Sequence, residues 1–150
     1  MTLDEQIGAI NQLSREIDQT YHNIAQHFKL SDNIFWIFYI IYSSEGEITQ
    51  SDLSQKWSYS KQTVNSSTST MVKRGWVTLD LLPDSRKSKA IHLTEAGREL
   101  CEKAIGTTRQ IEQHAYSHLS SEKLDQFIDL FKVMNTHFDE EQQQMLGADK

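Results

Sequence analysis

Cysteine and proline are almost absent from this sequence of 150 residues, which has one of each and only six glycines. A single cysteine cannot build an internal disulfide framework or a zinc site made only of cysteines. With one proline and 37% hydrophobic residues, the composition excludes disordered, linker-rich and collagen-like chains. The length fits one globular domain, with or without helical extensions.

Long hydrophobic runs are also missing. The longest fully apolar run, from Ile34 to Tyr42, is too short to span a bilayer, which takes about 20 such residues. The N-terminus lacks the positive region and the apolar stretch of a secretory signal. We therefore expect a soluble, cytoplasmic protein that does not contact a membrane.

Negative charge dominates the chain as a whole but not its middle. The net charge is −6, yet the segment from Lys56 to Lys89 contains seven lysines and arginines against two aspartates, a net charge of +5. The rest of the chain therefore carries −11. A basic middle between acidic arms indicates one surface that binds a polyanion.

Helical patterns fill most of the chain. From Leu3 to Phe28, apolar residues recur every three or four positions, which predicts a helix longer than a domain of this size needs for its own core. We expect its excess stripe to pack on another subunit. The next helix begins after Ser31 and is apolar all round, so we expect it to be buried on every side. Two further helices are expected after the basic segment, and the polar tail from Asp139 onwards is expected to fray.

The basic segment combines a short helix, a turn, a second helix and a hairpin. Thr49 and Asp52 form a capping box that opens the short helix, and Ser60 caps the second. Gly75 lies where a left-handed residue is expected to end the second helix. Two predicted strands follow, over 76–82 and 89–93, and the tip between them is basic. Thr94 is expected to cap the helix that follows, in which Gly97 and Gly106 need not end the helix.

This arrangement predicts a winged helix-turn-helix. A helix of this kind enters the major groove of DNA and reads base edges with its first residues. A basic hairpin tip suits the narrow minor groove beside it. The fold class we predict is mainly α with a small β-hairpin wing: four helices, a two-stranded hairpin and two more helices.

Four segments, in this order and spacing, resemble the MarR/SlyA family of bacterial winged-helix transcriptional regulators. They are Leu53–Val64, Lys73–Val77, Asp84–Arg86 and Leu93–Arg98. The resemblance implies a homodimer that binds a pseudo-palindromic DNA operator. It implies a winged lobe over residues 31–97, a helical dimerisation region over 1–30 and 98–142, and a frayed tail over 143–150.

The resemblance also implies which residues face DNA. Arg86 resembles the wing arginine, Asp84 the carboxylate that orients it, and Lys73 a peripheral phosphate contact. The full predicted set is Ser60, Lys61, Gln62, Thr63, Asn65, Ser66, Ser69, Lys73, Asp84, Arg86, Lys87 and Lys89. Many relatives have an arginine where this chain has Ser66, so few guanine readers remain and we expect an A·T-rich operator.

An effector site is a further implication of the resemblance. Small aromatic or phenolic molecules bind many relatives between the dimerisation helices and the winged lobe. Phe35, Trp36 and Tyr39 are the candidates for such a site, although most aromatic residues in so apolar a helix belong to the core. Release of DNA would follow from ligand binding, and we expect a repressor.

The sequence gives less support to metal-dependent, redox and enzymatic functions. His114 and His118 have a spacing that zinc can use on one helix face, but no second histidine pair accompanies them, so we predict no metal site and no cofactor. Cys101 is interpreted as a small buried hydrophobe. No catalytic motif is present, so we predict no enzymatic activity. A zinc- or redox-responsive regulator of the same fold, or a dimeric protein-interaction module, stays open as an alternative.

Overall fold

The computed structural model describes residues 1–83 and 88–147, which form six helices and one small sheet. The helices are α1 (Leu3–His27), α2 (Asp32–Ser43), α3 (Gln50–Gln55), α4 (Lys61–Lys73), α5 (Glu95–Tyr116) and α6 (Ser121–Leu146). The strands are β1 (Ile48–Thr49), β2 (Val77–Leu81) and β3 (Lys89–Leu93). The predicted fold class is thereby confirmed. The chain divides into two compact units, Met1–Arg109 and Gln110–Lys150.

Hydroxyl side chains begin most of the helices, as the sequence predicts. Ser31, Ser60 and Ser120 each accept a hydrogen bond from a backbone N–H in the first turn of α2, α4 and α6. The Thr94 hydroxyl accepts from the Gly97 N–H at the start of α5. Each bond satisfies an amide that the helix itself leaves unpaired, which fixes where the helix starts.

The sheet has three strands rather than the two expected. Its order is β1-β3-β2 with antiparallel pairing, and Ile91 on β3 lies opposite Ile48 on one side and Leu79 on the other. The third strand was missed because two residues are too few to show the alternation of apolar and polar side chains that identifies a strand. β1 joins the base of the hairpin to the segment that enters α3.

The core of the first unit forms around α2. Phe35, Ile37 and Phe38 are fully buried, and side chains from the other elements surround them. The expectation that α2 is buried on every side is wrong along one edge. Trp36 and Tyr39 are only partly buried and Tyr42 is 44% exposed, because an apolar helix is covered only where a neighbouring element reaches it.

The second unit contains α6, in which no residue is buried. The helix continues to Leu146, so the frayed tail expected from Gln143 does not begin there. Glutamate, glutamine, methionine and leucine favour helix, and no glycine or proline lies between Ser121 and Leu146. Over residues 1–83 and 88–147, no helix combines the length and apolar character that crossing a membrane requires.

Candidate nucleic-acid interface

A reciprocal capping box sets the start of α3. The Thr49 N–H donates to Asp52 Oδ2 at 3.0 Å, and the Asp52 N–H donates to Thr49 Oγ1 at 3.1 Å. The hydrogen bond from the Thr49 backbone lowers the pKa of the Asp52 carboxyl. The carboxylate therefore stays charged at neutral pH, next to the positive end of the helix.

The turn between α3 and α4 has a defined backbone. Ser58 adopts a left-handed conformation, with φ at 57°, and the Tyr59 N–H donates to the Leu53 carbonyl at 3.2 Å. The chain then enters α4 with Ser60 as its cap, where the Ser60 hydroxyl accepts from the Thr63 N–H at 3.1 Å. These contacts fix the backbone of the turn and therefore the residue at which α4 begins.

A buried polar contact joins the two helices. Gln50 Nε2 donates to Thr68 Oγ1 at 2.9 Å, and the same Thr68 hydroxyl donates to the Val64 carbonyl at 2.7 Å. Both hydrogen-bonding capacities of a fully buried hydroxyl are thus used, so its burial is not penalised. This contact ties α3 to the middle of α4 and limits rotation of α4 about its axis.

The exposed side of α4 is a polar ridge that we define as Gln62, Ser66, Ser69 and Lys73. At about 3.6 residues per turn these four lie along one line of the helix surface. All four are exposed, whereas the opposite side is buried: Val64, Ser67, Thr68 and Met71. Of the other predicted contacts on α4 and its cap, Ser60, Lys61 and Asn65 are exposed and Thr63 is partly buried.

Two grooves flank this ridge. The α4–wing groove, about 360 Å³, brings together Asn65, Ser69, Lys73 and Lys89, four of the residues predicted to face DNA. The α2–α4 groove, about 300 Å³, lies along the other flank and includes Ser66, Thr70 and Arg74. Lys29 and Asn33 also line this second groove. Sequence reasoning did not identify them, because only packing brings the start of α2 next to the end of α4.

The wing is held at its base. The Ser51 N–H in α3 donates to the Ser88 hydroxyl at 3.2 Å, just before Lys89 begins β3. The predicted tip residues Asp84, Arg86 and Lys87 lie outside the described residues. Their roles stay predictions.

Residues 28–87, from the end of α1 to the wing, match the sequence pattern of the MarR family. This segment is therefore similar in sequence to the MarR family. The resemblance expected from the four sequence segments is confirmed. A comparison with curated protein sequences gives no match.

Solved structures of this family share the fold. AbsC, a MarR family transcriptional regulator from Streptomyces coelicolor, superposes with a TM-score of 0.75 at 23% identity, over 93% of this chain and 97% of that chain. A MepR–DNA complex from Staphylococcus aureus gives 0.71 at 19% identity, over 92% and 98%. MarR from Staphylococcus aureus in complex with salicylate and kanamycin gives 0.72 at 15% identity, over 92% and 93%.

The three aromatic residues of this chain that are predicted to contact an effector lie in different environments. Phe35 is fully buried, so its side chain belongs to the core and not to an accessible site. Trp36 and Tyr39 are partly buried, and their rings pack in a tilted arrangement with centroids 5.3 Å apart. The ring centroid of Tyr21 from α1 lies 4.8 Å from that of Trp36. Arg109 donates to the Tyr39 hydroxyl at 3.0 Å, which places a cation at the edge of this cluster.

A separate cavity of about 490 Å³ lies behind the sheet, away from these aromatics. Its floor includes Ile48, Ile91 and Cys101, and its charged residues include Glu47 and Arg98. His92 also lines this cavity and contacts Glu47 at 3.1 Å, so the cavity has charge of both signs. This mixture distinguishes it from the two grooves beside α4.

The end of α5 determines where the histidine candidates lie, and the packing of α5 determines the environment of Cys101. The helix ends at Tyr116, so His118 lies in the turn that follows and not, as the sequence predicted, on the same helix as His114. Among the described residues, no group of three or more His, Cys, Asp or Glu is placed to hold a metal ion. Cys101 is buried as predicted, and burial raises its thiol pKa to about 12. The thiol is therefore protonated at neutral pH, which is the unreactive form.

Proposed function

We propose that this protein is a homodimeric transcriptional regulator of the MarR type, which represses genes by binding a pseudo-palindromic operator. The observation that carries the proposal is the polar ridge on α4, an exposed helix face with a groove on each side and cations in both grooves. The family match over residues 28–87 includes this helix, and a structural neighbour at TM-score 0.71 is a MepR–DNA complex. Members of this family regulate transcription rather than catalyse reactions, in agreement with the absence of a catalytic motif.

We assign base recognition to the polar ridge and to the first turn of α4. Gln62 and Asn65 have amides that can hydrogen-bond adenine at two positions, and the hydroxyls of Ser66 and Ser69 suit base edges or phosphates. Arg86 is proposed to enter the minor groove next to the recognition helix. With no arginine on the ridge, an A·T-rich operator stays our expectation.

A homodimer supplies the second recognition helix. α1 exposes an apolar stripe that includes Ile7, Ile10 and Ile17, each close to half exposed. α6 exposes a second stripe that includes Phe127 and Phe131. We assign residues 1–30 and 98–142 to dimerisation and residues 31–97 to the winged lobe. Two-fold symmetry then places the half-sites about 34–36 Å apart.

An aromatic effector is proposed to control release. Trp36, Tyr39 and Tyr21 offer aromatic faces, and the nearby Arg109 guanidinium suits a phenolate or carboxylate. A neighbour of the same fold is solved with salicylate, a small phenolic acid. Such a ligand acts only if it binds the DNA-competent and released conformations with different affinity.

Selection of bound sequences from a random duplex pool tests the proposal. We expect an inverted repeat with one half-site per subunit. In cells, we expect the protein in the cytoplasm, bound to this repeat at promoters. Gln62→Ala should relax base preference at one or two positions of each half-site by roughly 1–3 kcal/mol, measured by fluorescence anisotropy with operator variants. Arg86→Ala should weaken binding to every sequence with a narrow minor groove at its flanks.

Gln113→Ala on α5 is the matched control, since Gln113 is also exposed. It should leave base preference unchanged. If the pool returns no preferred sequence, or if Gln62→Ala and Arg86→Ala both bind as the parent does, the proposed function is wrong.

A further inference from the structure

The α2–α4 groove is lined from two parts of the chain that lie far apart in sequence. The described residues that line it include two cations, Lys29 and Arg74, and no carboxylate. The hydroxyls of Ser31, Ser66 and Thr70 also line it. The groove is therefore a positive, partly hydroxylated depression next to the recognition helix.

Local contacts fix the backbone at Lys29 and orient the side chain of Arg74. Lys29 follows the last turn of α1 in the left-handed conformation, with φ at 56°. Its N–H donates to the Gln26 carbonyl at 2.9 Å, which fixes the base of the side chain. The Arg74 guanidinium lies 5.2 Å above the centre of the Trp76 ring, a cation–π contact that orients it without neutralising its charge.

The acidic group nearest in sequence is Asp32, and it faces elsewhere. Asp32 Oδ1 contacts His22 Nδ1 at 2.8 Å, and Asp32 does not line the groove. Among the described residues that line it, the α4–wing groove has the same character, since they include Lys73 and Lys89 and no carboxylate. α4 therefore lies between two pairs of cations, one pair on each flank.

Duplex DNA offers the matching pattern. The major groove is about 12 Å wide and an α-helix with side chains is about 10–12 Å across. A helix seated in that groove thus has a phosphate backbone close on each side. Resting on the proposed function, we propose that the α2–α4 groove binds the phosphate backbone of the strand opposite the wing, with Lys29 and Arg74 each contacting one phosphate. The recognition helix is then held from both flanks.

Salt dependence of duplex binding measures these contacts without an operator. The probe is a 30-base-pair duplex of mixed sequence, titrated at 50–200 mM salt by fluorescence anisotropy. In the proposed homodimer each substitution removes one phosphate-neutralising cation from each subunit. It should therefore lower the slope of log affinity against log salt by about 1.8 and the affinity at 0.1 M salt about sixtyfold. We expect this for Lys29→Gln and for Arg74→Gln, and about twice the change in slope for both together.

Three controls separate charge from structure. Lys29→Arg and Arg74→Lys keep the charge and should keep the slope, which a purely structural role would not predict. Lys123→Gln removes an exposed cation on α6 and should leave the slope unchanged. Thermal unfolding of each variant confirms that it is folded.

The outcomes distinguish this proposal from the proposed function. If the parent binds DNA and the Lys29 and Arg74 variants keep its slope, the phosphate contact is wrong and the proposed function stands. If the parent binds no duplex at 50 mM salt, both fall. If the variants lose only the stabilisation that inorganic phosphate gives at constant ionic strength, the groove binds a free anion and the DNA contact is overturned.

Discussion

Lys29 and Gly75 occupy the same position in two equivalent helix ends. After α1, the Lys29 and Leu30 N–H groups donate back to the Gln26 and Ala25 carbonyls, at 2.9 Å each. After α4, the Gly75 and Trp76 N–H groups donate in the same way to the Val72 and Met71 carbonyls. Both positions have positive φ, 56° and 74°. Glycine adopts this conformation freely, whereas a side chain adds a steric cost.

Replacing Lys29 with glycine should therefore stabilise the protein. We expect Lys29→Gly to raise the free energy of unfolding by about 1 kcal/mol, because the steric cost of a left-handed residue exceeds the entropy that glycine loses. Urea denaturation at fixed protein concentration and without DNA measures the change. Gly75→Ala makes the reverse change at the equivalent position after α4 and should lower the free energy of unfolding by a similar amount. A loss of stability in Lys29→Gly would contradict this account.

Local residue signals were read correctly from the sequence, whereas the burial of individual residues in α2 was not. Thr49, Ser60 and Gly75 were predicted from nearby residues alone, because a cap depends only on the backbone it touches. Phe35 and Trp36 are neighbours with the same chemistry, yet one is fully buried and the other lies at an edge. That difference depends on which element covers each side of α2, which the pattern of a single helix does not contain.

At the scale of elements, α3 depends on the ionisation of Asp52. Its folded-state pKa is lowered, so the capping box adds stability above the unfolded-state value of about 3.9 and loses it as the pH falls further. Asp52→Ala should reduce the free energy of unfolding by about 1 kcal/mol at pH 7. The gap between parent and variant should close below about pH 4. Denaturation at pH 7, 5 and 3 tests this, with Glu141→Ala on α6 as the control.

Contact between α5 and the chain entering β2 depends on one glycine. A Cβ on Gly97 would overlap the Trp76 carbonyl, which already accepts the Thr94 N–H at 3.0 Å. Gly97→Ala should therefore destabilise the protein by about 2–3 kcal/mol, as overpacking does elsewhere. Gly106 lies on the same helix with only the Tyr42 hydroxyl near, at 3.8 Å.

Gly106→Ala is the matched control for Gly97→Ala. It should gain about 0.5–1 kcal/mol from helix propensity, so the two substitutions should move the thermal midpoint in opposite directions. Equal shifts would show that backbone entropy, and not the Trp76 carbonyl, decides the effect at Gly97.

The elements that sequence reasoning missed or misplaced are those set by tertiary pairing. Helices were predicted because their periodicity and caps are local. β1 exists because Ile48 and Thr49 pair with Ile91 and Ala90, residues some forty positions later. The fifth helix ends at Tyr116, before His118, although no proline or glycine marks that point. Pairing partners and helix ends of this kind are not encoded in a short window of sequence.

At the scale of the molecule, the apolar stripes exceed what the monomer covers. Phe131 on α6 is 45% exposed and Ile10 on α1 is 46% exposed. Large contiguous apolar surfaces on soluble proteins mark association sites. Since two-fold symmetry repeats every contact, a single substitution on such a surface acts twice in a dimer.

Phe131→Ala should therefore convert the proposed dimer into monomers at micromolar concentration. Losing about 2 kcal/mol of burial per copy amounts to about 4 kcal/mol per dimer, close to a thousandfold rise in the dimer dissociation constant. Sedimentation equilibrium measures this directly. Lys132→Ala is the control, because Lys132 is the next residue, lies on another side of α6 and pairs with Asp129 at 3.8 Å. Dimers that survive Phe131→Ala unchanged would remove α6 from the interface, and operator binding by two linked recognition helices would then need another surface to join them.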